Sequence, residues 1–458
     1  MNLHLDDIKK IYFLGIGGIG MSALARYFLS MGSEVHGYDK TQTALTRQLE
    51  AEGMRVHYGD ADLAAIPTGL DLVVWTPAIP RDFEELTFFQ SSGLPLKKRA
   101  EVLGIISRSR STIAVAGTHG KTTTSSLVTH LLRTGGVDCT AFLGGISQSL
   151  GSNYVGGNSD WVVAEADEYD RSFLHLSPEI SVLLSMDPDH LDIYGDPDAV
   201  AETGFKEFIR RTRPNGKVFI NSNLVQNFDN QSFETFGLEQ GNYRAENIRV
   251  EDGWFCFDFA APAGFPARME NLKLSLPGRH NVENATAAIA VALQLGIEPE
   301  AIREALASFK GIKRRFEFIY RDEHRVYIDD YAHHPTEIRS AVQAARDLFP
   351  GRRITGIFQP HLYSRTRDFQ DGFAAELDKL DEVFLLDIYP ARELPIPGVS
   401  SAIVFDKMKN QHKRMVSMKE IPAALDLNEI DVLMTIGAGD IDTLVEPIAA
   451  LLSSRKEH

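Results

Sequence analysis

The chain has 458 residues, 43% of them hydrophobic and 24% charged, which suits about three compact domains rather than one core or a disordered polymer. Lys and Arg number 47 against 63 Asp and Glu, a net charge of -16 that disfavours nonspecific nucleic-acid binding. Cys139 and Cys256 are too few and too far apart for a disulfide framework or a Cys-based zinc site, and no apolar run reaches the roughly 18 residues of a membrane span. The first ten residues lack the basic start and apolar run of a secretion signal, so a cytoplasmic protein with neither nucleic-acid nor membrane partner is expected.

In the first hundred residues short apolar runs alternate with amphipathic stretches. Residues 10–16, 33–39 and 71–76 read as strands and 18–31 as a helix, a pattern that predicts a parallel sheet covered on both faces. Gly15, Gly17 and Gly20 fit G-x-G-x-x-G between the first strand and the helix, where glycines let the backbone approach a pyrophosphate at the helix start. Asp39 ends the next strand at the spacing of an acid that binds a ribose hydroxyl. NAD would satisfy this loop, and so would a UDP-sugar. A tight turn with no ligand at all would also use these glycines.

A second start follows at residues 111–118, a strand that runs into Gly117-Thr118-His119-Gly120-Lys121-Thr122-Thr123 and a helix from Lys121. Backbone N–H groups of such a loop cradle phosphates, Lys121 offers a charge to the β/γ-phosphates and Thr122 a hydroxyl to Mg2+. The first glycine precedes Gly120 by three residues rather than five, so the loop is shorter than the usual P-loop. Residues 161–167, 180–186 and 217–221 read as further strands. Glu165, Asp167 and Glu168 end one of these runs and Asp187-Pro188-Asp189-His190-Leu191-Asp192 another, where open α/β sheets place ligands. Hard carboxylate oxygens there suit Mg2+, although acids after strands are often only solvated turn residues.

Residues 248–277 change to short segments broken by Gly and Pro, predicting a small antiparallel insertion, and helices follow from Asn281 and Pro299. A third alternation starts near Arg315, with strands expected at 325–330, 353–359, 382–389 and 431–437. Tyr331-Ala332-His333-His334 and Gln359-Pro360-His361 fall at strand ends; Arg365 and Arg367 could serve a substrate anion or pair with Asp368 and Asp371. Boundaries near Ser107 and Lys310 divide the chain into residues 1–107, 108–310 and 311–458.

Taken in order, FLGIGGIGMSALA, GTHGKTTT, AEADEYDRSF, DPDHLDIYG, GRHNVENATAA, GIKRRFE, IDDYAHHPTEI, QPHLYSRTRDF, LLDIYPARELPIPGV and TIGAGDI resemble the motifs of the Mur ligase family over nearly the whole chain. The resemblance implies an α/β protein of three domains: a Rossmann-like amino-terminal domain, a central P-loop ATPase-type domain with a mainly parallel sheet and a small antiparallel insertion, and a carboxy-terminal Rossmann-like domain. It implies ATP- and Mg2+-dependent ligation of L-alanine to UDP-N-acetylmuramate through an acyl phosphate, in peptidoglycan precursor synthesis, by a monomer or weak homodimer. Gly15, Gly17, Gly18, Ile19, Gly20 and Asp39, with Thr76, Pro77 and Ala78, would bind the UDP-sugar. Gly117, Thr118, His119, Gly120, Lys121, Thr122, Thr123, Asn281, Asn284, Arg315 and Asp330 would bind ATP. Thr122, Glu165 and His190 would hold metal; Tyr331, His333 and Arg365 would hold the amino acid; and Lys121, His190, Arg315, His333 and Arg365 would carry the catalysis.

Leu362 stands where relatives often have Arg, and Ala332 where they often have Gly. The carbamoylated lysine of sister ligases is not expected. Three other readings fit part of the pattern: a recycling ligase that adds a preformed tripeptide to the same sugar nucleotide, an NAD-dependent oxidoreductase, and a noncatalytic nucleotide switch.

Overall fold

The computed structural model describes residues 4–187, 200–228, 233–266, 268–391 and 393–454. His190, expected at a metal, lies outside them. Three sheets organise the described residues.

The first sheet contains β1 (Lys10–Leu14), β2 (Glu34–Asp39), β3 (Arg55–Tyr58), β4 (Leu72–Trp75) and β5 (Leu96–Lys98) in the order β3-β2-β1-β4-β5, all parallel. β1 is central and its Ile11, Phe13 and Leu14 are fully buried, as an apolar strand covered on both faces must be. Its order reverses between β1 and β4, and such a switch point opens a crevice at the strand ends.

The second sheet runs β15-β14-β13-β12-β11-β10-β6-β9-β7-β8. Its members are β6 (Ser111–Ala116), β7 (Thr140–Ser147), β8 (Ser152–Val155), β9 (Trp161–Ala166), β10 (Ile180–Leu183), β11 (Lys217–Asn221), β12 (Glu234–Leu238), β13 (Tyr243–Glu251), β14 (Trp254–Ala260) and β15 (Arg268–Leu274). β6 lies between β9 and β10, parallel to both, which sets the loop after β6 between two other strand ends. β7 and β8 form an antiparallel hairpin at one edge. Asp252 and Gly253, both at positive φ, make the tight turn between β13 and β14 that reverses the chain, the antiparallel insertion expected over 248–277.

The third sheet, β16-β17-β21-β18-β19-β20, comprises β16 (Glu317–Arg321), β17 (Val326–Asp330), β18 (Ile354–Phe358), β19 (Glu382–Leu385), β20 (Lys413–Met415) and β21 (Val432–Ile436). It is parallel apart from β16. By compactness the chain divides into two units, one of residues 1–246, 258–272 and 283–309, the other of 247–257, 273–282 and 310–458. The first two sheets therefore belong largely to one unit. No helix among the described residues is long and apolar enough to cross a membrane.

Candidate functional site

In the first unit, β1 ends at Leu14 and the next two residues hook onto β2, Gly15 and Ile16 both donating N–H to the Tyr38 carbonyl at 2.8 and 3.0 Å. Gly15 sits at φ +85 against the Thr76 methyl, which joins the loop to the turn of Thr76, Pro77 and Ala78. Gly17 donates its N–H to Asp39 Oδ2 at 2.7 Å, and a Cβ there would lie 2.6 Å from the Thr46 methyl. A side chain at 17 would therefore push Asp39 off the loop. Gly18 caps the helix Ile19–Ser30, whose first turn carries Ile19 and Gly20. Arg99 packs over Gly20, with Nη1 2.9 Å from where a Cβ would stand, and reaches to 3.9 Å from Asp167. The crevice thus combines a backbone cradle, one acid and one guanidinium. Sequence reading overlooked Arg99, because only the turn of β5 into the helix Arg99–Ser109 brings it over a loop some eighty positions earlier.

The second cradle lies in the same unit. β6 delivers Gly117 at φ +139 and Gly120 at φ +81, and the helix Lys121–Thr134 begins directly after. Gly120 has two reasons to be glycine, its left-handed φ and the Asn284 side chain that a Cβ would approach to 2.5 Å. Asn284 is thereby placed beside the loop. Asn281, on the same helix Arg279–Gln294 but within the other unit, uses its side-chain N–H to hold the Pro277 carbonyl at 2.7 Å. Thr118 donates its hydroxyl to the Asp187 carbonyl at 2.8 Å, the His119 N–H goes to Ser185 Oγ at 2.9 Å, and the His119 ring lies 3.0 Å from the Asp187 carboxylate. Thr123 is buried in the first helical turn.

Lys121 Nζ donates to the Gly117 carbonyl at 2.8 Å and pairs with Glu168 at 2.8 Å. Burial opposes its charge, but Glu168, Asp167 and Glu165 outweigh that and raise its pKa above the ordinary lysine value. Glu168 itself is 2% exposed in its side chain, and burial pushes its carboxyl up to about 7 in spite of Lys121. Glu165 Oε2 accepts from the Thr122 hydroxyl at 2.8 Å and from the Gly144 N–H at 2.9 Å. Gly144 on β7 was not singled out by sequence; a methyl there would collide with the Glu165 carboxylate.

The second unit holds the remaining candidates. Arg314 bonds Asp329 at 3.1 Å and the Gly437 carbonyl at 2.7 Å, fixing the segment before β16 to the ends of β17 and β21. Both Arg314 and Arg315 lie over the Tyr331 ring, at 5.1 and 5.0 Å. Asp330 accepts the N–H groups of Phe316 and Ala332, each at 2.8 Å, and burial pushes its carboxyl up to about 6. Arg365 is buried and its guanidinium lies 3.4 Å from His361 Nδ1, whereas Arg367 pairs with Asp368 and Asp371 with Lys407 on the surface. Arg367 thus forms the surface pair with Asp368. Leu362 adopts φ +68, an uncommon conformation for a branched side chain, and is buried at the start of the helix Tyr363–Leu377.

His333 Nδ1 lies 3.0 Å from the Tyr331 carbonyl and 3.3 Å from Glu337 Oε2. Since a carbonyl only accepts, Nδ1 carries the proton and Nε2 the lone pair. Burial pushes the His333 pKa down to about 4, with Arg365 and Arg315 acting the same way against Glu337. In the unfolded chain the ring binds protons up to its ordinary pKa, so between about 4 and 6.5 the unfolded state holds more protons and stability from this residue rises with pH. Wild type should therefore gain thermal stability relative to His333→Gln as pH rises through that window. A stability difference independent of pH there would refute the assignment.

Three family models match the chain in succession. The Mur ligase family catalytic domain matches residues 10–111, the Mur ligase middle domain 115–292 and the Mur ligase glutamate ligase domain 314–439. The chain belongs to the Mur ligase family. It is 47% identical over 455 residues to a UDP-N-acetylmuramate--L-alanine ligase of Flavobacterium johnsoniae, covering 98% of this chain and 99% of the relative. That of Cytophaga hutchinsonii is 46% identical with 99% of both chains covered. Among solved structures, the UDP-N-acetylmuramate-alanine ligase of Thermotoga maritima superposes with a TM-score of 0.83 at 31% identity, over 98% of this chain and 100% of the other. A murein peptide ligase of Psychrobacter arcticus, 24% identical with a TM-score of 0.71 over 98% of this chain and 100% of the other, shares the fold.

Proposed function

We propose that this Mur ligase family member joins L-alanine to UDP-N-acetylmuramate with conversion of ATP to ADP and phosphate, in peptidoglycan precursor synthesis. The observation that carries the reading is the pair of anion cradles in one unit: Gly15–Gly20 with Asp39 and Arg99, and Gly117–Thr123 with Lys121 and Glu165. The names of the full-length relatives supply the two carboxylate and amine partners. Residues 1–107 would hold the sugar nucleotide, 108–310 ATP, and 311–458 ATP and the amino acid.

The muramoyl carboxylate attacks the γ-phosphorus and ADP leaves, giving an acyl phosphate. The L-alanine amine attacks the acyl carbon, loses a proton, and phosphate leaves. A carboxylate attacking a polyanion requires charge neutralisation, which Lys121 provides as a lysine kept protonated by its carboxylate neighbours. Arg315, held by Tyr331, would add to it, and Asp330 would meet the ATP ribose, with Asn281 and Asn284 at the adenine. Tyr331 and Arg365 would hold the amino-acid carboxylate. His333 presents a neutral ring with its Nε2 lone pair available as proton acceptor for the amine.

The donor set suits Mg2+: Thr122 Oγ1 and Glu165 Oε2 are hard oxygens 2.8 Å apart at the phosphate loop. Mg2+ takes few protein ligands and completes its shell with phosphates and water. Thr122 and Glu165 would hold one ion and His190 a second; bound there, Mg2+ would neutralise phosphate charge.

ADP release that requires both UDP-N-acetylmuramate and L-alanine is the expected result. Release with the tripeptide but not with L-alanine would indicate a recycling ligase instead. An NAD-dependent oxidoreductase leaves the Lys121 cradle without a role.

A further inference from the structure

The two cradles are joined by a side chain that the reaction above does not use. Asn153 on β8 is fully buried. Its Nδ2 donates to the Ile19 carbonyl at 2.5 Å and to Ser22 Oγ at 2.9 Å, and its Oδ1 accepts from Arg26. Arg26, also buried, is locked by two 2.8 Å bonds to Glu52. Every hydrogen-bonding group of the Asn153 amide is thus spent on the helix Ile19–Ser30, an arrangement that specifies one orientation.

The Ile19 carbonyl shares a planar trans peptide unit with the Gly20 N–H, and the two point in opposite directions. Gripping the carbonyl aims the N–H, which lies in the first helical turn where N–H groups face an anion rather than an intrahelical acceptor. Donation to the carbonyl also polarises that peptide and strengthens its N–H. The same hairpin carries Gly144 on β7, which donates to Glu165 at 2.9 Å. Aromatic packing of Tyr27 against Phe142, with centroids 5.6 Å apart, stiffens the connection.

We infer that Asn153 is a positioning residue for the sugar-nucleotide diphosphate, aiming the Gly20 peptide from the central sheet and setting the first cradle in register with the Glu165 end of the second. The inference rests on the proposed reading of the first cradle.

Two variants test it. Asn153→Asp keeps the acceptor for Arg26 but places an oxygen against the Ile19 carbonyl; Asn153→Ser is smaller and cannot reach it. Kd for UDP and KM for UDP-N-acetylmuramate should rise about tenfold or more, the worth of one well-placed hydrogen bond, while KM for ATP stays within about twofold. A folded variant with wild-type UDP affinity overturns the proposal. So does a parallel rise in both KM values, or failure of both variants to fold, since each marks a merely structural residue. If wild type itself binds neither UDP nor UDP-N-acetylmuramate, the reading of the cradle falls instead.

Discussion

Lys121→Met should lower the rate of ADP release by about a thousandfold or more, while UDP-N-acetylmuramate still binds. The lysine lies in a loop of positive-φ glycines and bonds the Gly117 carbonyl and Glu168, so its charge is fixed in place before substrate arrives. Methionine fills the same volume without the charge. Stability should change as well, in a direction that depends on pH. Burial already raises Glu168 to about 7, and loss of Lys121 removes its chief stabilising partner.

A carboxyl whose folded pKa lies above its ordinary value binds more protons folded than unfolded, so stability declines as pH rises through that interval. Wild type should stop losing stability from this carboxyl above about pH 7, where Glu168 ionises in the fold, whereas Lys121→Met, with Glu168 raised further, should go on losing it. Lys121→Met with Glu168→Gln should regain the stability without regaining activity. Near-normal turnover in the single variant would remove Lys121 from the chemistry.

Glu165→Gln is expected to lower kcat/KM for ATP by at least about a hundredfold and to raise the Mg2+ concentration needed for half-maximal rate, beyond what loss of a supporting outer contact causes. One carboxylate oxygen accepts both the Thr122 hydroxyl and the Gly144 N–H, which aims the group at the loop. An amide nitrogen in that position would face the Gly144 N–H donor to donor and turn the side chain away. Gly144→Ala should produce a similar defect with Glu165 intact, because its methyl occupies the space of the carboxylate. If the Mg2+ titration of Glu165→Gln superimposes on that of wild type, the residue is not at the metal.

Much of the fold was legible because central strands announce themselves. β1, β6, β10 and β21 are short, mostly apolar runs whose residues are nearly all buried, so that both faces are covered. The edge strands were not legible. β5 is Leu96-Lys97-Lys98, β20 is Lys413-Arg414-Met415, and β8 is Ser152-Asn153-Tyr154-Val155; each owes its extended form to a neighbouring strand rather than to its own pattern. β7 was hidden by Gly144 and Gly145, which weaken a strand signal, while Gly144 admits the Glu165 side chain.

The sequence by itself determined the two glycine loops, the lysine and threonine of the second, and the carboxylates at strand ends. These are local devices, in which backbone conformation and residue type a few positions apart create the site. Only the tertiary structure decided what supports them: Arg99 over Gly20, Asn153 on the Ile19 carbonyl, Gly144 against Glu165, and His361 beside Arg365. Of these, Arg99, Asn153 and Gly144 lie from about twenty to more than a hundred positions from their partners. A contact across such a separation is set by strand order and helix packing, which no window of sequence contains.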